Sequence, residues 1–71
     1  MKPKIGDTIY AIIEDSISRE TVGWLGNDSF VVELYEYVNE SCFSYSDYNK
    51  EWFKSLDKAK KELRRRYGRK T

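Results

Sequence analysis

Histidine is absent from the sequence, which removes both the commonest metal ligand and the commonest general base at neutral pH. Cysteine occurs once, as Cys42, so no disulfide can form within the chain. A Cys-His nucleophile is excluded with the histidine, and Cys42 reads as a small buried hydrophobe. Small secreted domains usually carry several cysteine pairs, so the cytoplasm is the expected compartment. With one proline and four glycines there is no phosphate-gripping glycine loop, and no linker, internal repeat or low-complexity tract stands out. The start, Met1 to Asp7, lacks the apolar core of a signal peptide. No apolar run approaches the roughly 20 residues that span a bilayer, so no membrane role is expected. No Ca²⁺-loop spacing is present. Glu14 and Asp15 are adjacent and point to opposite sides of a strand or sit in a turn. Glu33 and Glu36 are spaced to come near one another, but carboxylates alone in a domain too small for a deep pocket rarely make an active site. The reading is therefore of a non-enzymatic chain without cofactor or metal ion.

What the chain does have is aromatic surface and separated charge. Its 71 residues allow a single domain, expected as a β-barrel over 1–54, a basic helix over 55–67 and a frayed tail over 68–71. A domain of this size buries only about 60% of its unfolded surface, so each large side chain counts. Two Trp, six Tyr and three Phe supply that area. The net charge of +1 hides a division. Through Asn49 there are three cations against nine carboxylates; from Lys50 onward, ten cations against three carboxylates. An acidic body thus precedes a basic C-terminal segment.

Hydrophobic patterning divides the body into five strands. Thr8 to Ile13 carries apolar residues on both faces, Ile9, Ala11 and Ile13 against Tyr10 and Ile12, which suits a central strand. After the turn Glu14-Asp15-Ser16, Ile17 to Leu25 reads as a second strand with Val22 and Trp24 on one face. Gly26-Asn27-Asp28 is a turn of residues that tolerate positive φ. Phe30 to Tyr35 forms a third strand and Asn39-Glu40-Ser41 a turn. Cys42 to Tyr45 forms a fourth strand, Asp47 to Lys50 a further turn, and Trp52-Phe53 a last short strand. Trp24, Trp52, Phe30 and Phe53 are assigned to the core. Ser55 is placed as a helix N-cap with Asp57 in the first turn. Leu56, Ala59, Leu63 and Tyr67 recur at helical spacing over about 11 residues, and Gly68 stands at the C-terminal stop. So short a helix is marginal alone and must dock its stripe on the sheet. The fold class is mainly β: a small antiparallel barrel followed by one α-helix.

Two stretches carry a resemblance. Ile5-Gly6-Asp7-Thr8-Ile9-Tyr10-Ala11-Ile12 resembles the opening of KOW and other SH3-like barrels, where Gly-Asp turns into the first strand. Glu14-Asp15-Ser16 stands where KOW motifs place a glycine. The stretch from Tyr45 to Leu63, with its aromatic pair Trp52-Phe53 and the Ser55 cap, is similar to the ending of small uncharacterised proteins of Firmicutes phages and mobile elements. Asn49 occupies the position where that ending often has glycine. The resemblance implies an SH3-like barrel with a C-terminal helix, and a phage protein that engages a host protein, such as an inhibitor of a defence or nucleic-acid-processing protein.

The candidate binding residues fall in two groups. Lys58, Lys61 and Arg65 share one helix face; Lys60 and Arg64 share another, and Arg66 extends the charge. Arginine suits bidentate contact with phosphate or carboxylate. Tyr35, Tyr37, Tyr45 and Tyr48 lie near strand ends and turns, where tyrosine favours interfaces, with Glu33 and Glu36 as acidic neighbours. Six excess carboxylates in the body would repel phosphates within a Debye length of about 8 Å. A protein partner is therefore the preferred reading. Nucleic acid bound through the basic helix is the alternative, and a homodimer through an open sheet edge is also left open by the sequence.

Overall fold

The computed structural model describes residues 2–33 and 41–68. Five strands and a helix follow one another along the chain: β1 (Thr8–Ile13), β2 (Ser16–Leu25), β3 (Ser29–Glu33), β4 (Ser41–Ser44), β5 (Trp52–Phe53) and α1 (Leu56–Tyr67). A single 3₁₀ turn, Tyr45–Asp47, lies between β4 and β5. The strands pair antiparallel in the order β4-β3-β2-β1-β5 and curl into a half-barrel. This is the mainly β architecture with a C-terminal helix that the pattern implies.

β1 lies between β2 and β5 and has apolar residues on both faces because each face meets a different layer. Ile9 and Ala11 enter the hollow of the sheet with Val22, Phe30, Val32 and Trp52, all without exposure to solvent. Ile12 points to the other face and packs with Phe53 and Ala59, where α1 docks; Tyr10, Ile17 and Leu63 close around them. Burial of one such large apolar side chain is worth about 1.5–3 kcal/mol. Ile13, expected to continue the inner row, is 43% exposed. It pairs with Ser16 at the open end of the hairpin, beyond both clusters.

Trp52 closes the half-barrel. Its ring meets Phe30 edge-on at 4.8 Å between centroids, a favoured aromatic geometry. Its Nε1–H donates to the Ser44 carbonyl at 2.8 Å, so a β5 side chain fastens the end of β4. Tyr45 stacks on Phe30 and donates its hydroxyl hydrogen to the Gly26 carbonyl at 2.8 Å, tying the 3₁₀ turn to the β2–β3 connection.

Two residues assigned to the core lie outside it. Trp24 is 58% exposed. A β-bulge between Val22 and Trp24 inserts Gly23 into the ladder, so Val22 opposes Val32 while Trp24 opposes Val31. Strict alternation would keep Val22 and Trp24 on one face; the extra residue turns Trp24 outward and Leu25 inward. A Cβ on Gly23 would stand 2.8 Å from the Glu33 Cγ, so a larger residue at the bulge would make the exposed Glu33 side chain shift. Cys42 is likewise exposed. It opposes Val31 on the outer face, while Phe43 next to it faces the core cluster.

The turns follow residue chemistry with two refinements. Gly26-Asn27-Asp28 forms its connection without positive φ, closed by Gly26 N–H donating to the Ser29 carbonyl at 2.8 Å. Positive φ falls instead on Asn49, at 66°, and on Glu14, at 58°. Asparagine tolerates that region, whereas the Glu14 backbone is strained. β2 starts one residue earlier than expected, at Ser16, and β4 spans Ser41–Ser44 because Tyr45 opens the 3₁₀ turn. Leu34 and Tyr35 of the expected third strand, the Asn39-Glu40 turn and the tail beyond Gly68 lie outside the described residues.

α1 is capped as its sequence implies. The Ser55 hydroxyl accepts from Lys58 N–H, Asp57 lies in the first turn and Gly68 ends the helix with φ 72°. The apolar stripe docks at its centre: Ala59 is fully buried and Leu63 packs beside it. Leu56 and Tyr67, at the ends, remain 40% and 53% exposed. Tyr67 still anchors the last turn, for its hydroxyl donates to the Glu14 carbonyl at 2.9 Å.

Candidate interaction surface

With Ala59 and Leu63 against the sheet, helical spacing turns the cations of α1 outward. Lys58, Lys61, Arg64 and Arg65 are all exposed. Together with Asn49, Phe53 and Glu62, three of them (Lys58, Lys61 and Arg65) line an open groove of about 350 Å³ between the helix and the turn before β5. Asn49 reaches that groove through its left-handed conformation, which turns the chain back so that Asn49 N–H donates to the Trp52 carbonyl at 2.8 Å. Among the described residues, Lys58, Lys61 and Arg64 make no ion pair.

Glu62 organises the remaining two arginines. The Arg65 guanidinium grips it as a fork, Nε to Oε1 at 2.9 Å and the terminal nitrogen to Oε2 at 2.6 Å. Arg66 donates from Nε to Oε2 at 2.9 Å, approaches Glu51 at 3.5 Å, and donates to the Lys50 carbonyl. Arg66 is thus half-buried and fastens α1 to the segment leading into β5, with its charge already matched. Only this one α1 cation reaches a carboxylate off the helix among the described residues. Pairs three and four residues apart are a helical rule, so Glu62 with Arg65 and Arg66 was readable from spacing.

These hydrogen bonds, first from Arg65 and then from Arg66, hold the Glu62 carboxyl down at about 2 against an ordinary 4.5, and Glu62 in turn raises both guanidinium groups. A carboxylate depressed in the folded chain adds stability that is complete above its ordinary value and fades as the pH drops through the folded one. Glu62→Gln should therefore melt below the parent at neutral pH, and the two melting temperatures should converge between about pH 4.5 and about pH 2. A constant gap across that range, followed by thermal unfolding monitored by circular dichroism, would refute the clasp.

The tyrosine group divides. Tyr45 and Tyr48 are half-buried rim residues: Tyr45 stacks on Phe30 beneath the Lys2 ammonium, 5.2 Å from its ring, and Tyr48 packs on Trp52 at 4.9 Å. Both complete the core wall as well as its edge. Glu33 is exposed on β3. Tyr35, Glu36 and Tyr37 lie outside the described residues, as does any approach of Glu33 to Glu36. Sequence reasoning missed the exposed Trp24 and Cys42, which share the outer face with Val31. A glycine inside an apolar strand, Gly23, is the signal that could have flagged the bulge.

No group of three or more potential metal ligands gathers among the described residues, and no helix there is long and apolar enough to cross a membrane. A scan against protein-family models, a search of curated proteins and a search of solved structures return no match.

Proposed function

We propose that this chain is a non-enzymatic protein-interaction module that docks the outward face of α1 on an acidic surface of a partner protein. The supporting observation is the exposure of Lys58, Lys61 and Arg64, none of them in an ion pair among the described residues, on a helix held by buried Ala59. Cations neutralised against the chain's own carboxylates could not serve a partner; among the described residues the one ion pair from α1 to a carboxylate off the helix is Arg66 with Glu51. The acidic body adds direction, since opposite fields on one small domain orient a protein partner during encounter. The same body disfavours wrapping by a polyanion. Together with the resemblance to phage and mobile-element proteins, this reading extends to a host defence or nucleic-acid-processing protein as the partner.

The test is charge reversal on the intact chain. Lys58, Lys61 and Arg64 replaced together by Glu should weaken binding to a stoichiometric protein partner by about tenfold or more, roughly 1.4 kcal/mol or above, with unchanged circular dichroism. Recovery of nucleic acid instead of protein, with affinity falling steeply as salt rises, would replace this reading with the nucleic-acid one. Undiminished protein binding by the triple variant would remove the helix from the interface.

A further inference from the structure

The two flanks of α1 differ in what they can bind. With Ala59 turned inward, a rotation of about 100° per residue sends Lys58, Glu62 and Arg65 to one side and Lys60, Arg64 and Tyr67 to the other. The neighbours differ accordingly. Asn49 and Phe53 share a groove with the first set. On the second, Tyr67 bonds the Glu14 carbonyl, and Arg64 and Tyr67 share a hollow with Asp15. Arg64 thus has an acidic neighbour from the turn between β1 and β2.

The first flank has no such neighbour to spare. Glu62 is the one carboxylate lining its groove, and both its oxygens are taken by Arg65 and Arg66. Lys58 and Lys61 line the same groove and make no ion pair among the described residues. One helical turn apart, their Cβ atoms are about 5–6 Å from one another, so one short segment can bring a carboxylate to each.

Charge alone does not fill this space. The groove measures about 350 Å³, within the range of about 300–1,000 Å³ that holds whole ligands. Its walls have apolar substance as well: the Phe53 ring, and the methylene stems of Lys58, Lys61 and Arg65. The groove is open, and sites for free small molecules bury about 70–90% of the ligand. A polypeptide covers an open groove with its own flanking chain.

We infer that this groove takes one large apolar side chain of an acidic polypeptide segment, whose neighbouring Asp or Glu carboxylates pair with Lys58 and Lys61. The inference rests on the reading of α1 as a docking surface and adds the flank that is used and the segment it accepts. Asn49 offers the main chain of that segment an amide donor and acceptor. Arg64, on the opposite flank, stays outside the contact.

Amide NMR spectra of the intact chain, titrated with capped peptides into the millimolar range, test it. The probe carries one leucine between pairs of aspartates. Control peptides replace the leucine by serine, or the aspartates by asparagines. The leucine–aspartate peptide should move the resonances of Asn49, Phe53, Lys58 and Lys61, and each control should bind about tenfold more weakly. Lys58→Glu with Lys61→Glu should abolish the shifts, and the milder Lys58→Gln with Lys61→Gln should reduce affinity about tenfold. Arg64→Glu should change it by less than about threefold. Equal binding of the leucine and serine peptides would overturn the groove and leave α1 as a purely electrostatic surface. Shifts centred on Asp15 and Tyr67 would overturn the choice of flank. If no peptide binds while charge reversal at Lys58, Lys61 and Arg64 still weakens a protein partner, the groove alone is wrong; if neither responds, the docking surface falls with it.

Discussion

Trp52→Ala should remove half or more of the stability of this domain. A chain of this length is held by about 4–10 kcal/mol, at 0.05–0.15 kcal/mol per residue. Truncation of a large buried aromatic costs about 3–5 kcal/mol through lost burial and the cavity that remains. Trp52 has no exposed surface, and its ring contacts both Phe30 and Tyr48. The variant also strips the Ser44 carbonyl of its indole donor, a further ~1 kcal/mol. Trp52→Phe separates the two terms, since it keeps most of the ring and loses only the donor and some volume. Urea melts followed by far-ultraviolet circular dichroism check the result. A midpoint for Trp52→Ala within about 1 kcal/mol of the parent would show that β4 and β5 are fastened by something other than this indole.

Ala59→Asp should undock α1. Ala59 is fully buried between α1 and the face formed by Ile12 and Phe53. A carboxylate without a partner in such a place is pushed upward by about 3 pKa units, or ~4 kcal/mol at neutral pH. Ala59→Leu tests volume alone and should cost about 1–3 kcal/mol through overpacking. The sign with pH runs opposite to that of Glu62: a carboxyl raised in the folded chain costs stability above its ordinary value, and acidification restores it. Ala59→Asp should therefore regain stability toward mildly acidic pH, where Ala59→Leu does not change. If helix content at neutral pH survives intact in Ala59→Asp, the docking of α1 does not depend on this contact. Loss of partner binding in Ala59→Asp would follow from the cations losing their fixed arrangement.

Local patterns made most of the architecture legible. The β1 segment reads directly because both of its faces are apolar, and the structure supplies a layer for each. The Ser55 cap, Asp57, Ala59 and Gly68 define α1 by chemistry confined to one helix. Asn49, which stands where the phage-protein ending it resembles often has glycine, adopts a φ of 66°, a left-handed conformation that asparagine accepts. What stayed hidden was set by pairing between strands. Alternation places Trp24 beside Val22 until one inserted glycine reverses it, and the closest neighbour of that glycine is Glu33 on the adjacent strand. Cys42 looks buried by residue type, yet the register with Val31 turns it outward. In the candidate surface, the outward direction of Lys58, Lys61 and Arg64 follows from the stripe. The inward turn of Arg66 depends on Glu51, a contact outside the helix that its periodicity does not contain.

The two indoles sit in opposite surroundings, one enclosed against Phe30 and bonded to a carbonyl, the other open to water on the outer face. The protein thereby contains two intrinsic optical probes of separate events. Emission from Trp52 should lie to the blue and resist iodide, shifting red only when the sheet opens. Emission from Trp24 should lie to the red and be quenched freely, as long as that face stays uncovered. With each indole replaced in turn by phenylalanine, a single fluorimeter can follow unfolding and the covering of the outer face independently, without any attached dye.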